Sequence, residues 1–222
     1  MKLAQTIEQD LKALVRVQTA DCNSPITSQY DVEWQQVKQA VPERQREFLW
    51  GRALIRQLAV ELNIPVGEIS SDSNKAPILP QQLAASISHN RQQVIVIAAP
   101  VGQVRALGVD IDTTEPIMAR LKQRIFTDHE RLQCQEQQEQ LEIDPFKCLF
   151  SAKEGLYKCF YHLTGVKLSF CDISLSFEQD RSLTVRLERT IKVDPAVFNT
   201  LRGYWWIEQQ QIVTVFMAMK KN

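Results

Sequence analysis

Two extended apolar segments, Val94–Ala99 and Leu107–Asp112, lie close together in the chain, and Pro100, Gly102 and Gln103 turn the chain between them. Val94–Ala99 is a near-continuous apolar run, the pattern of a buried strand. Strands cluster again near the C-terminus: Leu168–Phe177 and Ser182–Glu188 flank the polar turn Glu178–Arg181, and Tyr204–Ile207 and Ile212–Met219 flank a Gln-rich turn. Strands grouped in this way, rather than alternating singly with helices, favour α+β over a doubly wound sheet. No GxGxxG or Walker-type loop is present to cradle a nucleotide. A length of 222 residues fits one large domain or two of about 100 residues each.

Helical patterns occupy the remaining stretches. Pro42 suits a first helical turn, and Phe48, Leu54, Ile55, Leu58 and Leu62 follow as a rough stripe until Asn63, Pro65 and Gly67 stop it. Further helices are expected over 114–124, over 128–142, from Asp144 or Ser151 to Leu163, and over the short segment Pro195–Leu201. Ser86–Ser88 reads as a short strand. The first thirty residues are weakly patterned, and both Thr19–Ser28 and Ser70–Gln82 read as loop.

Lys plus Arg and Asp plus Glu each number 26, so the formal charge is zero, which argues against a general nucleic-acid binder while leaving room for a local basic pocket. Five cysteines without CxxC spacing argue against a disulfide scaffold or a structural zinc site. Glu8 and Asp10 fall where a signal peptide needs an apolar run, and no stretch approaches the ~20 apolar residues of a membrane span. The expectation is a soluble cytoplasmic protein with no transmembrane segment and no nucleic-acid partner.

Gly108-Val109-Asp110-Ile111-Asp112 carries the first candidate chemistry. In a strand, Val109 and Ile111 face one side while Asp110 and Asp112 share the other, about 6–7 Å apart. Such a pair can converge on a hard divalent cation such as magnesium. It can equally be a solvated strand end or the cap of a following helix. Further on, Glu154 and Lys158 are four apart and share a helix face. The carboxylate can bind metal or accept a proton and the ammonium can neutralise a phosphate. A solvent-exposed ion pair, or a Ser151/Glu154 capping box, explains the same pattern. Gly155 weakens a helix by about 1 kcal/mol relative to Ala, which points to close approach by a ligand or strand. In the first half, Arg46, Arg52 and Arg56 on the early helix, Lys75 in the next loop, and Ser88-His89 at a strand end form a candidate phosphate-binding set. An exposed basic helix face and a satisfied polar strand end are the plainer alternatives.

In order and spacing, these pieces resemble the 4'-phosphopantetheinyl transferase family, especially its siderophore-synthase-associated branch, similar to enterobactin synthase component D. The resemblance runs through Glu47–Arg56, Lys75-Ala76-Pro77, Ser86–Asn90, Gly108–Asp112 and Phe150–Lys158, about the central half of the chain. It implies two similar α/β subdomains in a pseudo-twofold arrangement with the active site at their interface. The first, 1–104, would be the coenzyme A side, and the second, 105–222, would carry the metal-binding acids and catalytic helix. It further implies magnesium on Asp110, Asp112 and Glu154, coenzyme A on Arg46, Arg52, Arg56, Lys75, Ser88 and His89, and Lys158 at the reacting phosphates. The implied activity is transfer of phosphopantetheine from coenzyme A to a serine of an acyl or peptidyl carrier protein, including one within a peptide or polyketide synthase. The chain departs from the family pattern at Asp112, where many relatives have Glu, at Asn90, where Ser or Cys is frequent, and at Gly155, where Ala or Ser is common.

Overall fold

The structure is a computed structural model that describes residues 2–221. It is an α+β protein of two compact units, Met1–Val104 and Arg105–Asn222.

The first unit runs α1 (Lys2–Asp10), β1 (Arg16–Asp21), α2 (Asp31–Val37), α3 (Pro42–Glu61), β2 (Leu83–His89) and β3 (Gln93–Pro100). Its sheet has the order β1-β3-β2, with both neighbours antiparallel to β3. Being central, β3 is buried throughout Val94–Ala99, as its unbroken apolar run requires. Its alternate residues Val94, Val96 and Ala98 join Leu54, Ile55, Leu58 and Ala59 of α3 in one core. Pro42 opens α3, as the sequence indicates. The weak patterning of the first thirty residues hides α1 and β1. Only Ile7 of α1 is buried, and β1 is an edge strand whose one buried residue is Val17. With so little apolar surface to hide, neither element shows a clear period.

The second unit runs β4 (Val104–Thr113), α4 (Ala119–Ile125), α5 (Asp128–Gln137), α6 (Pro145–Thr164), β5 (Ile173–Phe177), β6 (Ser182–Leu187), β7 (Leu201–Glu208) and β8 (Gln211–Met219). The sheet order is β4-β8-β7-β6-β5. Both units thus follow one plan: a 20-residue helix lies in the chain between the first strand and the rest, and the last strand pairs with the first. The expected helix over 114–124 begins only at Ala119, because Pro116 disfavours helical backbone at Glu115. The helix expected to reach Glu142 ends at Gln137, where Glu and Gln offer nothing to bury. β5 begins at Ile173 rather than Leu168. Ser169 and Asp172 close a turn there, with Ser169 N donating to Asp172 Oδ2 at 2.7 Å and Asp172 N to Ser169 O at 3.0 Å. No helix among the described residues is long and apolar enough to cross a membrane.

Two features fix α6 within this unit. The first is a backbone contact with β4. A Cβ added at Gly108 would fall well inside contact distance of the Gly155 carbonyl oxygen, and 2.5 Å from the Cys159 nitrogen. Only glycine lets strand and helix meet this closely. On the sheet-facing side of α6, a Cβ at Gly155 would stand 3.0 Å from Thr214 Oγ1. The second is a buried ion pair. Lys153 Nζ lies 2.9 Å from Glu130 Oε2, both side chains fully buried, and also donates to the carbonyls of Phe170 (2.5 Å) and Ile173 (3.1 Å). Glu130 completes a capping box with Thr127 at the start of α5, and its other oxygen accepts the Leu175 amide at 2.9 Å. One ion pair thereby ties α5, α6 and β5 together with its polar atoms satisfied.

Gly108→Ala is expected to destabilise the protein by about 3 kcal/mol or more, because the obstacle is backbone, whereas Gly67→Ala, with open space around it, is expected to change stability by under about 1 kcal/mol. Denaturant unfolding of both variants measures the difference. Lys153→Met leaves Glu130 buried without its cation and is expected to cost about 3–5 kcal/mol. Pairing it with Glu130→Leu is expected to recover a large part of that loss in the same assay.

Candidate active site

β4 and α6 build the acidic site wholly within the second unit. Val109 and Ile111 enter the core, leaving Asp110 and Asp112 on the other side of the strand. α6 answers with Lys147, Ser151, Glu154 and Lys158, spaced i, i+4, i+7 and i+11 and therefore along one helix face. Ser151 Oγ donates to Asp110 Oδ2 at 2.9 Å, and Lys158 Nζ donates to Asp110 Oδ1 at 2.9 Å and to the Val109 carbonyl at 2.9 Å. Asp112 Oδ1 accepts its neighbour's Thr113 amide at 2.7 Å, and Oδ2 accepts Lys147 Nζ at 2.5 Å. Thr214 of β8 holds the Ser151 turn, its hydroxyl donating to the Ser151 carbonyl at 2.8 Å.

These contacts bear on the plainer readings of the helix motif. Ser151 lies well inside α6, so its hydroxyl caps nothing and turns to Asp110. The Lys158 ammonium reaches across to Asp110. Glu154, half-buried, feels the same acids: burial pushes its carboxyl pKa up, Asp110 pushes it further, Lys158 pulls it down and Asp112 raises it. Three carboxylates therefore share one electrostatic neighbourhood. Among the described residues, no three His, Cys, Asp or Glu side chains stand in metal-coordinating geometry. The two lysine ammoniums neutralise Asp110 and Asp112 as built. The donor set itself, oxygen only and anionic, has the chemistry a hard divalent ion takes.

The basic candidates of the first unit divide into two groups. His89, at the end of β2, is held between residues of α3: Arg44 lies 2.7 Å from Nε2 and Glu47 3.3 Å from Nδ1. Arginine can only donate, so Nε2 accepts and the ring proton belongs on Nδ1, toward Glu47. Arg52 and Arg56 are engaged by groups of the fold. Arg52 is buried, donating to the Ile69 carbonyl at 3.2 Å and Ser71 Oγ at 2.8 Å, and burial lowers its pKa to about 10. Arg56 makes a two-pronged pair with the fully buried Glu33, which also accepts the Ile69 amide at 3.0 Å. Arg46 donates to the Cys22 carbonyl at 2.9 Å and lines a recess of about 520 Å³ with Pro25, Trp34, Pro42 and Leu49. Lys75 is exposed in a turn at positive φ, and Ser88 is buried in β2.

Reading the sequence motif by motif missed Lys147, Arg44 and Glu47. Extending the Ser151–Glu154–Lys158 stripe one helical turn upstream lands on Lys147. Arg44 and Glu47, three apart at the start of α3, carry no signal until the end of β2 is brought to them.

Comparison with known proteins bears on both units. Residues 32–99 match the profile of the 4'-phosphopantetheinyl transferase N-terminal domain, and residues 106–215 match that of the 4'-phosphopantetheinyl transferase superfamily. The 4'-phosphopantetheinyl transferase Svp of Streptomyces mobaraensis is 27% identical over 169 residues, covering 74% of this chain and 68% of the relative. The 4'-phosphopantetheinyl transferase PptT of Mycobacterium tuberculosis is 26% identical over 188 residues, 82% of each chain.

The raised Glu154 pKa sets a sign for stability. A carboxyl whose pKa is higher folded than unfolded opposes folding once ionised, so the cost is full above the folded value and vanishes below the unfolded value near 4.5. In a chelator, Glu154→Gln is expected to raise the unfolding temperature at neutral pH. The gain should shrink as pH falls through the Glu154 titration, as read by thermal unfolding at several pH values.

Proposed function

The chain belongs to the 4'-phosphopantetheinyl transferase superfamily, and from that premise we propose that it is a magnesium-dependent holo-carrier-protein synthase whose chemistry is run by Asp110, Asp112, Glu154 and Lys158. Family membership gives the coarse reaction: phosphopantetheine passes from coenzyme A to a carrier protein. The observation that supports the finer reading is the pairing of Asp110 with Lys158 and of Asp112 with Lys147 across β4 and one face of α6, with Glu154 on the same helix face and its pKa raised by burial and both acids.

In this mechanism a serine hydroxyl of the acyl or peptidyl carrier attacks the β-phosphorus of coenzyme A. The bond from that phosphorus to the bridging oxygen breaks, giving phosphopantetheinyl-serine and adenosine 3',5'-bisphosphate. Asp110, Asp112 and Glu154 would hold magnesium, which supplies positive charge for the phosphoryl oxygens. Glu154 accepts the serine proton, directly or through water. Ser151 orients Asp110 from the side opposite Lys158. Lys158 neutralises the departing bisphosphate.

On the coenzyme A side, Arg46, Lys75, Ser88 and His89 provide the phosphate contacts, with Arg44 orienting His89. Arg52 and Arg56 contribute by holding Glu33 and the 69–71 segment in place. The stretches Glu47–Arg56 and Phe150–Lys158 support assignment to the siderophore-synthase-associated branch. Five unpaired thiols suit a reducing, cytoplasmic setting.

Intact-mass analysis of an apo-carrier incubated with the protein, coenzyme A and magnesium is expected to show the gain of one phosphopantetheine. Asp110→Ala and Lys158→Ala are each expected to slow that gain by about 10²-fold or more. An unmodified carrier across acyl and peptidyl types would refute the synthase assignment. A near-normal Asp110→Ala rate would remove Asp110 from the machinery.

A further inference from the structure

The acidic site of the second unit contains three carboxylates, Asp110, Asp112 and Glu154, and two ammoniums, Lys147 and Lys158. With all five ionised the local charge is −3 + 2 = −1. A divalent cation entering with both lysines in place would bring it to +1. Moving one ammonium off the acids, or adding an anion, relieves that excess. The two lysines are not held alike. Lys158 is anchored twice, on Asp110 Oδ1 and on the Val109 carbonyl, each at 2.9 Å. Among the described residues, Lys147 has Asp112 as its hydrogen-bond acceptor, with the Phe150 ring 5.8 Å away. Asp112 is in turn engaged at both oxygens, one on the Thr113 amide and the other on Lys147. A cation that uses Asp112 must therefore share or displace Lys147.

We propose that Lys147 is a displaceable counterion. It occupies Asp112 until a divalent cation arrives, then transfers its ammonium to a phosphate oxygen of the substrate, so that cation and anion load together. This rests on the metal-binding reading above. The flexible four-carbon stem and compact charge of lysine suit such an exchange. The side chain is 12% exposed and that of Asp112 27%, so the pair is reachable from solvent rather than sealed in the core. Asp112, where a longer Glu is common in the family, keeps its carboxylate close to β4, within reach of the helix lysine. Lys147 thus neutralises Asp112 in the metal-free site and a substrate phosphate in the loaded one.

Manganese binding to the full chain, read by electron paramagnetic resonance with and without coenzyme A, tests the exchange. For the wild type, saturating coenzyme A is expected to tighten manganese binding by about fivefold or more. Lys147→Met is expected to bind manganese more tightly than wild type without coenzyme A, and to lose most of the further tightening when coenzyme A is added. Lys147→Arg, which keeps the charge, is expected to stay near the wild-type pattern. Lys147→Gln gives the same reading as Met should the Met variant fail to unfold cooperatively in a thermal scan. Unchanged manganese affinity and unchanged coupling in the neutral variants overturn the inference while leaving the metal reading intact. No manganese binding by the wild type overturns both.

Discussion

The contact of Gly108 with the backbone of α6 at Gly155 and Cys159 is the constraint on which the acidic site depends. A side chain at position 108 would push the helix off the strand, and the groups at stake lie within one helical turn of the contact. Asp110 is two residues beyond Gly108, Glu154 precedes Gly155, and Lys158 precedes Cys159. The missing Cβ is therefore what allows a strand carboxylate and a helix ammonium to meet at 2.9 Å. Gly155 adds the counterpart on the sheet-facing side of the helix, where Thr214 packs at its Cα and steadies the Ser151 carbonyl. A glycine that costs helix propensity thus stands where a Cβ would crowd the Thr214 side chain.

Polar groups in this unit serve two purposes, and adjacent residues separate them. Lys153 turns inward to the fully buried Glu130 and to two backbone carbonyls. Glu154, the next residue, turns to the acidic pair on β4. The inward pair fixes the rotation of α6 about its axis, because a buried ammonium with three acceptors tolerates little displacement. That rotation decides which residues form the outward stripe. The raised pKa of Glu154 comes first from burial and then from the acids on β4, and the close lysine partners of Asp110 and Asp112 offset the same crowding of like charge, a combination common where sites handle phosphoryl charge.

Much of this was legible in the sequence where periodicity and composition agree. The apolar run of β3, the Pro42 start of α3 and the paired C-terminal strands each announce themselves through burial pattern or turn chemistry. The α+β class follows from the clustering of strands. By periodicity and spacing alone, the residues that touch across β4 and α6 were legible only as separate motifs, and the family resemblance is what joined them. α1 and β1 escaped because each buries a single residue in the main. Arg52 and Arg56 illustrate a different limit: a basic helix face looks the same in sequence whether its guanidiniums meet solvent, a ligand or, as here, Ser71 and Glu33. The buried Lys153–Glu130 pair is likewise invisible in a helix that reads as amphipathic and charged.

Anomalous diffraction from a crystal grown with manganese and coenzyme A tests the central claim most directly. The expected result is one metal peak with carboxylate oxygens of Asp110, Asp112 and Glu154 among its ligands, at about 2.1–2.2 Å. A metal bound to the coenzyme with none of these three carboxylates in contact would contradict the account.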